Sequence, residues 1–350
     1  MVEVSEPLES EFPYVTEDLP GFGGVLRARS EHFVVEEIPL YDPIGRGQHL
    51  YVNLTKKDLT TREVQKVLAS TFGLHHSKIG FAGMKDKYAQ ATQTFSVPVE
   101  NTPESSVAQS LSRLVADINV KINWTRLHVN KIKSGHLLGN SFTIIVSKMD
   151  VPLEEAIQRA NAIAARLLER GIPNYYGPQR FSGGNVPRGF EIIKGRAIGD
   201  RWLQRLLVSS FQSYLCNRYL AMRLEMGLFD RLVRGDIAKK YSTGGLFEIE
   251  DENAEQERYK VHEISFTAPI YGSRMWKAKG SAGEIEDRIL AESGVTAEQL
   301  GRTGAKGTRR LGRLLLKDLQ IDGVDEGLRL RFILPKGAFA TTVLREFMKV

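Results

Sequence analysis

The sequence predicts an α+β protein of two domains, on three observations. Strand-like and helix-like segments alternate irregularly, with several strands adjacent along the chain, which favours α+β over a doubly wound sheet. The 350 residues are 42% apolar and 26% charged, an ordinary balance for burying cores at roughly 100–200 residues per domain. The texture changes near Gly171, and the final strand and helix resemble the first 150 residues more than the middle. An insertion of about 140 residues into a first domain accounts for that order economically.

The elements follow in chain order. Residues 1–20 read as a loosely attached acidic arm. Residues 33–38 and 48–54 read as strands, the second with Leu50, Val52 and Leu54 on one face, joined by a turn carrying Pro43, Gly45 and Gly47. Thr60 and Glu63 form a capping box, and Val64, Val67, Leu68 and Phe72 continue it as a helix that Gly73 stops. A short strand leads into a glycine-containing loop at 80–86, and 92–97 alternates again. Residues 104–116 carry Val107, Leu111, Leu114 and Val115 at helical spacing. Ile118, Val120, Ile122 and Trp124 have period two. A basic, glycine-punctuated loop at 130–140 precedes a strand beginning Phe142, Ile144, Val146. Residues 153–170 form a helix with Ala156, Ile157, Ala160, Ile163, Ala164, Leu167 and Leu168 inward, ended by Gly171.

Beyond it, 171–198 is rich in Gly, Pro, Asn and Arg. A long helix spans about 200–225, short segments fill 235–282 with an acidic stretch at 248–257, and Thr296 with Gln299 caps a short helix. Leu328, Leu330 and Phe332 alternate with Arg329 and Arg331 as a strand, and a last helix runs from about 338 to 348.

Composition excludes several function classes. The net charge of +6 hides an asymmetry: Glu3, Glu6, Glu9, Glu11, Glu17 and Asp18 are unopposed in the first twenty residues, which leaves +12 on the rest. A basic body suits a polyanion, nucleic acid first. The single cysteine, Cys216, rules out a disulfide framework and any zinc site needing two thiolates, the zinc nucleoside deaminases included. Gly-Lys occurs nowhere, so there is no P-loop. The acidic N-terminus does not read as a signal peptide, and no run approaches the ~18 apolar residues of a membrane span. His75 and His76 are adjacent, not spaced to share a helix face, so a metal site is not expected.

Four segments could carry chemistry. In GFAGMKDKYAQATQ (80–93), Gly80, Ala82 and Gly83 permit close approach, and Asp86 reads either as a turn residue or as an exposed carboxylate serving as nucleophile or base. In KIKSGHLLGNSF (131–142), Lys131 and Lys133 could bind phosphates, while Asn140 and Phe142 could bond and stack on a base; the residues alone favour a plain surface loop with Phe142 in the core. In NYYGPQRFSGGNVPRG (174–189), Arg180 and Arg188 supply charge, and Tyr175, Tyr176 and Phe181 supply either stacking faces or buried rings. PKGAFATTVLRE (335–346) reads as a segment closing the core.

Together these blocks resemble the TruD family of tRNA pseudouridine synthases. The 80–93 loop is similar to its signature. LRARSEHFVVEE (26–37), HVNKIKSGHLLGNSF (128–142), PNYYGPQRF (173–181), SSFQSYLCNRYL (209–220), GTRR (307–310) and LPKGAFATTVLRE (334–346) resemble its other motifs, in its order. The resemblance spans residue 25 to the C-terminus. It implies a pseudouridine synthase core, with a mixed, mainly antiparallel sheet and flanking helices, comprising residues 21–170 and 319–350. A large inserted α/β TRUD domain would occupy 171–318, and 1–20 would remain the arm. It implies isomerisation of a uridine in tRNA, typically position 13, to pseudouridine, without cofactor or ATP, by a cytoplasmic monomer with no membrane partner. Asp86 falls on the catalytic aspartate, and Asn140 and Phe142 on the Asn-x-Phe pair, its ring stacking on the base. The aspartate's basic partner, Lys in the bacterial pattern, is Arg27 here; Arg can pair with a carboxylate bidentately but differs in geometry. An inactive RNA-binding protein of the same fold is the alternative, and the joint presence of Asp86, Asn140 and Phe142 argues against it. The absence of a carboxylate or His cluster disfavours a metal-dependent RNA hydrolase.

Overall fold

A computed structural model of the chain describes residues 12–100 and 102–349. The first elements are β1 (Phe33–Pro39), β2 (His49–Lys57), α1 (Thr61–Thr71), β3 (Gly80–Phe81), β4 (Gln90–Pro98), α2 (Glu104–Asp117), β5 (Val120–His128), β6 (Leu137–Val146) and α3 (Leu153–Arg170). The middle of the chain forms β7 (Ile172–Pro173), α4 (Asn185–Ile193), α5 (Arg201–Glu225), β8 (Ile237–Lys240), β9 (Leu246–Glu248), α6 (Glu252–Lys260), β10 (Ile264–Ile270), α7 (Gly280–Glu292), α8 (Ala297–Arg302), β11 (Thr308–Leu311) and β12 (Arg313–Leu314). The chain ends with β13 (Lys317–Val324), β14 (Gly327–Pro335) and α9 (Ala340–Met348). Among the described residues no helix is long and apolar enough to cross a membrane.

Two compact units result. One takes in Gly21–Ala162, Leu316–Gly337 and the residues from Phe347; the other takes in the stretch through Pro20, Ile163–Leu315 and Ala338–Glu346. The chain thus leaves the first unit and returns to it, and the division falls inside α3.

The first unit is built on one sheet in the order β13-β14-β6-β1-β4-β2-β5, with β3 paired to β4. Only the β1–β4 pair is parallel, so the sheet is mixed and mainly antiparallel, as the resemblance implies. Alternation decides what each strand buries. Leu50, Val52 and Leu54 of β2 join Phe95 and Val97 of β4 in a core closed by Val64 and Leu68 of α1 and Leu114 of α2. Leu328, Leu330 and Phe332 are buried on β14. The period-two reading of β5 fails at one point. Ile122 faces Leu54 but Trp124 faces Asn53, because Asn123 forms a bulge. One extra residue reverses the face of all that follows, and Trp124 turns outward. Val115 of α2, expected inward, is also exposed.

The second unit holds the four-stranded antiparallel sheet β11-β10-β8-β9 and the short pair β12-β7. Strand β10, buried from Ile264 through Pro269, lies against the long helix α5, whose Phe211, Leu215, Tyr219 and Leu220 are inaccessible. Helices α4 and α7 form where the sequence suggests only loops and short segments. Leu168 of α3, expected inward, is exposed. The arm reading also needs correction from Phe12 onward; residues 1–11 lie outside the described residues. Phe12, Val15 and Thr16 are buried, and Glu346 of α9 accepts hydrogen bonds from the Val15 and Thr16 amides and the Thr16 hydroxyl. Four apolar or aromatic residues at 12–15 (FPYV) give the segment something to bury, which counting its charges overlooks.

Candidate active site

Residues 82–89 link β3 to β4 as a loop held at every side but one. Gly80 sets its base: a Cβ there would lie 2.2 Å from the Ile132 carbonyl, so only glycine lets β3 press against the 130–136 loop. The Gly135 amide donates to the Ala82 carbonyl at 2.8 Å. Gly83 is not constrained this way, since a Cβ there would meet only ordinary van der Waals contacts. Lys85 turns inward. Its amide donates to Thr61 Oγ1 at the start of α1 (2.9 Å), and its buried ammonium meets the equally buried Glu37 carboxylate of β1 at 2.8 Å. Thr61 in turn donates to Gln93 of β4 (2.8 Å). Asp86 faces the other way, with its side chain 43% exposed and Met84 and Tyr88 exposed on either side. A loop with its backbone locked and its carboxylate displayed is how a scaffold presents a reactive group.

Arg27 reaches that carboxylate from before β1. An antiparallel bridge between Val25 and Ser147 fixes the preceding chain. Arg27 itself has φ of 57°, a left-handed conformation that costs a non-glycine residue about 1 kcal/mol or more. It lays the guanidinium 4.2 Å from the Phe33 ring centroid and brings Nη2 to 2.5 Å from Asp86 Oδ2. Strain, a cation over an aromatic face and an ion pair thus meet in one side chain.

Asn140 and Phe142 stand on the same face of β6. Phe142 is aligned with Val35 of β1 and Phe332 of β14. Its ring stacks on Phe332 (5.5 Å between centroids, 29°) and meets Phe33 edge-on (6.3 Å, 76°). Phe33 therefore carries Arg27 above it and Phe142 beside it. Asn140 pairs with Glu37, the partner of Lys85, and its Oδ1 is buried with no hydrogen-bond partner among the described residues. A buried acceptor left open costs about 1–3 kcal/mol unless something donates to it. Within one unit, then, Arg27 meets Asp86 directly, Phe142 reaches Arg27 through Phe33, and Asn140 lies beside Glu37, the partner of Lys85.

The basic candidates divide. Lys133 is exposed in the first unit, while Lys131 donates to the Ser77 carbonyl (2.5 Å), and partial burial lowers its pKa. In the second unit Arg188 is exposed on α4. Arg180 is engaged with Ser213 (3.2 Å) and Ser209 of α5, and burial lowers its pKa. Tyr175 and Phe181 are buried, which favours the core reading of their segment. Tyr176 carries the Arg310 guanidinium at 3.9 Å from its ring, and Arg310 bonds Asn174, which draws three sequence blocks into one network with Asn217. The His75 and His76 rings lie 4.2 Å apart, tilted by 35°, and among the described residues no three His, Cys, Asp or Glu gather as a metal site.

Sequence reasoning missed Glu37 and Lys56. Lys56 is fully buried on β2, with its ammonium on the carbonyls of Leu59 (2.5 Å) and Asp86 (2.6 Å). The signal was present: period two carried one step beyond Leu50, Val52 and Leu54 puts Lys56 on the apolar face. Glu37 gave none, since a buried acid on a strand is legible only through its partner.

The chain was compared with known proteins. The family tRNA pseudouridine synthase D (TruD) matches residues 10–199 and 196–347. A tRNA pseudouridine synthase D from Thermus thermophilus is 43% identical over 342 residues, covering 97% of this chain and 92% of that protein. One from Anaeromyxobacter dehalogenans is 39% identical over 351 residues, covering 97% of each. A Methanosarcina mazei crystal structure assigned to tRNA pseudouridine synthase D superposes with a TM-score of 0.78 at 27% identity, covering 97% of this chain and 96% of that one.

Proposed function

The chain belongs to the TruD family, and from that premise we propose that it is a tRNA pseudouridine synthase whose nucleophile is Asp86. The observation that carries this reading is the 2.5 Å pair between Arg27 and a half-exposed Asp86 on a locked loop. The reaction isomerises one uridine, at position 13 by the family's habit. The nucleotide leaves its stack and enters the site. The Asp86 carboxylate attacks ribose C1′ or the uracil ring, the bond between C1′ and uracil N1 breaks, the base turns, C1′ bonds to C5, and the bond to Asp86 breaks to return the carboxylate. The proton lost from C5 is matched by one gained at N1, so nothing is oxidised or hydrolysed and no cofactor is called for. Asn140, with its open acceptor, suits the N–H of a uracil ring, and Phe142 supplies an aromatic surface beside it. Of the four basic candidates, the exposed Lys133 and Arg188 contribute phosphate contacts, while Lys131 and Arg180 are held by bonds within the protein. Residues 171–318 are the inserted domain on 21–170 and 319–350, and the protein works as a cytoplasmic monomer.

Pseudouridine mapping on folded tRNA, with wild type and Asp86→Asn, tests this. Asn preserves size and hydrogen bonding, so a turn residue would survive the change and a nucleophile would not. Conversion is expected to vanish while filter binding and melting stay near wild type. Residual conversion within about tenfold, only ~1.4 kcal/mol of barrier, would reject Asp86 as nucleophile.

A further inference from the structure

Two lysines are buried in the chain's described residues, and both act on the Asp86 loop. Lys85 is neutralised by Glu37. Among the described residues Lys56 has no carboxylate within ion-pair distance, and it rests on two backbone carbonyls, those of Leu59 and Asp86. A buried ammonium without a counter-ion is expensive, and an apolar residue of similar length in its place is often neutral or stabilising. Stability alone therefore gives no reason for a lysine at the end of the row Leu50, Val52, Leu54. Its position gives one. A single ammonium ties the nucleophile's own carbonyl to the residue before the α1 cap, and Thr61 of the same helix holds the Lys85 amide.

We propose that Lys56 is a positioning residue that fixes the backbone of Asp86 by charge-assisted hydrogen bonding, and so sets the direction of the carboxylate toward its target. The proposal rests on Asp86 being the nucleophile. Charged donors make bonds roughly twice as strong as neutral ones, so the tether weakens when the ammonium loses its proton. Burial lowers the Lys56 pKa to about 8; nearby Asp86, Glu63 and Asp58 oppose this and Lys85 adds to it. The sign separates this role from a structural one. A lysine whose folded pKa lies below its unfolded value binds fewer protons in the native state. Its charge is a cost to folding below about pH 8, and that cost is relieved as pH rises from there toward the ordinary lysine range. Raising the pH thus loosens the tether without taking stability away at this group.

Single-turnover conversion of tRNA from pH 6.5 to 9, with melting curves alongside, tests this on wild type and Lys56→Met. Wild type is expected to lose rate through about pH 8 with no loss of melting temperature from that change. Lys56→Met is expected to melt at or above wild type and to bind tRNA within about twofold. It should convert at least about tenfold more slowly at pH 7, and the limb near pH 8 should disappear. If the uracil's own ionisation caused the limb, it would persist in Lys56→Met, which would overturn the proposal. A wild-type rate flat across the range, or a Lys56→Met rate within about twofold of wild type, would also overturn it. Should Lys56→Met fail to fold, Lys56→Arg, which retains the charge, is expected to keep more rate than Lys56→Gln, which retains only a donor, and equal rates in the two would overturn the proposal. Activity surviving in Asp86→Asn would reject the nucleophile itself, whatever Lys56 does.

Discussion

Phe142 has two aromatic neighbours among the described residues, Phe33 and Phe332, and only 7% of its surface reaches solvent. A ring so placed helps hold the sheet face together, whether or not a base also lies against it. Phe142→Ala is accordingly expected to lower stability by about 3 kcal/mol, as large-to-small changes in cores do, seen as an earlier chemical-denaturation midpoint. Phe142→Leu keeps most of the volume and should cost less than about 1.5 kcal/mol. If the ring also stacks on the target uridine, the leucine variant still loses ~1–3 kcal/mol of base contact, so conversion falls about tenfold while tRNA affinity changes little. A leucine variant with wild-type turnover would leave Phe142 with its packing role alone. Of the site side chains, Asp86 was visible in the sequence because it ends a glycine-containing loop. Lys56 was hidden because a lysine on a strand reads as solvated unless the apolar row is followed through it.

Two helices carry complete capping boxes, Thr60 with Glu63 on α1 and Thr296 with Gln299 on α8, and both are legible in the sequence. Their consequences differ. The first turn of α1 holds the Lys85 amide through Thr61, and the Leu59 carbonyl before it takes the Lys56 ammonium. Thr60→Ala and Thr296→Ala should each cost about 1 kcal/mol of stability by denaturation. Only Thr60→Ala is expected to slow conversion as well; equal rates in the two variants would show that the α1 terminus does not govern the loop. Elements went unread where local pattern was silent. Strand β10 (ISFTAPI) is buried on both faces, so it shows no alternation, and α4 contains Pro187 amid glycines. The bulge at Asn123 leaves no mark in the period of β5, because it is defined against Asn53 and Leu54 on the neighbouring strand.

Across the molecule, charge predicts how RNA binding responds to conditions. With +12 on residues 21–350, tRNA affinity should fall along a straight log–log line in salt with a slope of several units. Lys133→Ala and Arg188→Ala, both at exposed positions, should each reduce that slope by about one. Arg180→Ala should instead cost stability, since it removes the contacts with Ser209 and Ser213. A flat salt plot would contradict phosphate-driven binding.

The sequence by itself determined the α+β class, the capped helices, the apolar rows of β2 and β14 and the exposed loop bearing Asp86. Each of these is a local or periodic property, written within a few residues of itself. Only the tertiary structure decided which distant groups meet: Arg27 with Asp86 across 59 positions, Lys85 with Glu37 across 48, Lys56 with the Asp86 carbonyl across 30, and Thr16 with Glu346 across 330. Those pairings follow from strand order and register, which are set by how apolar faces bury against one another over the whole chain. No window of neighbouring residues contains that information, so the carboxylate could be found by reading and its partners only by folding.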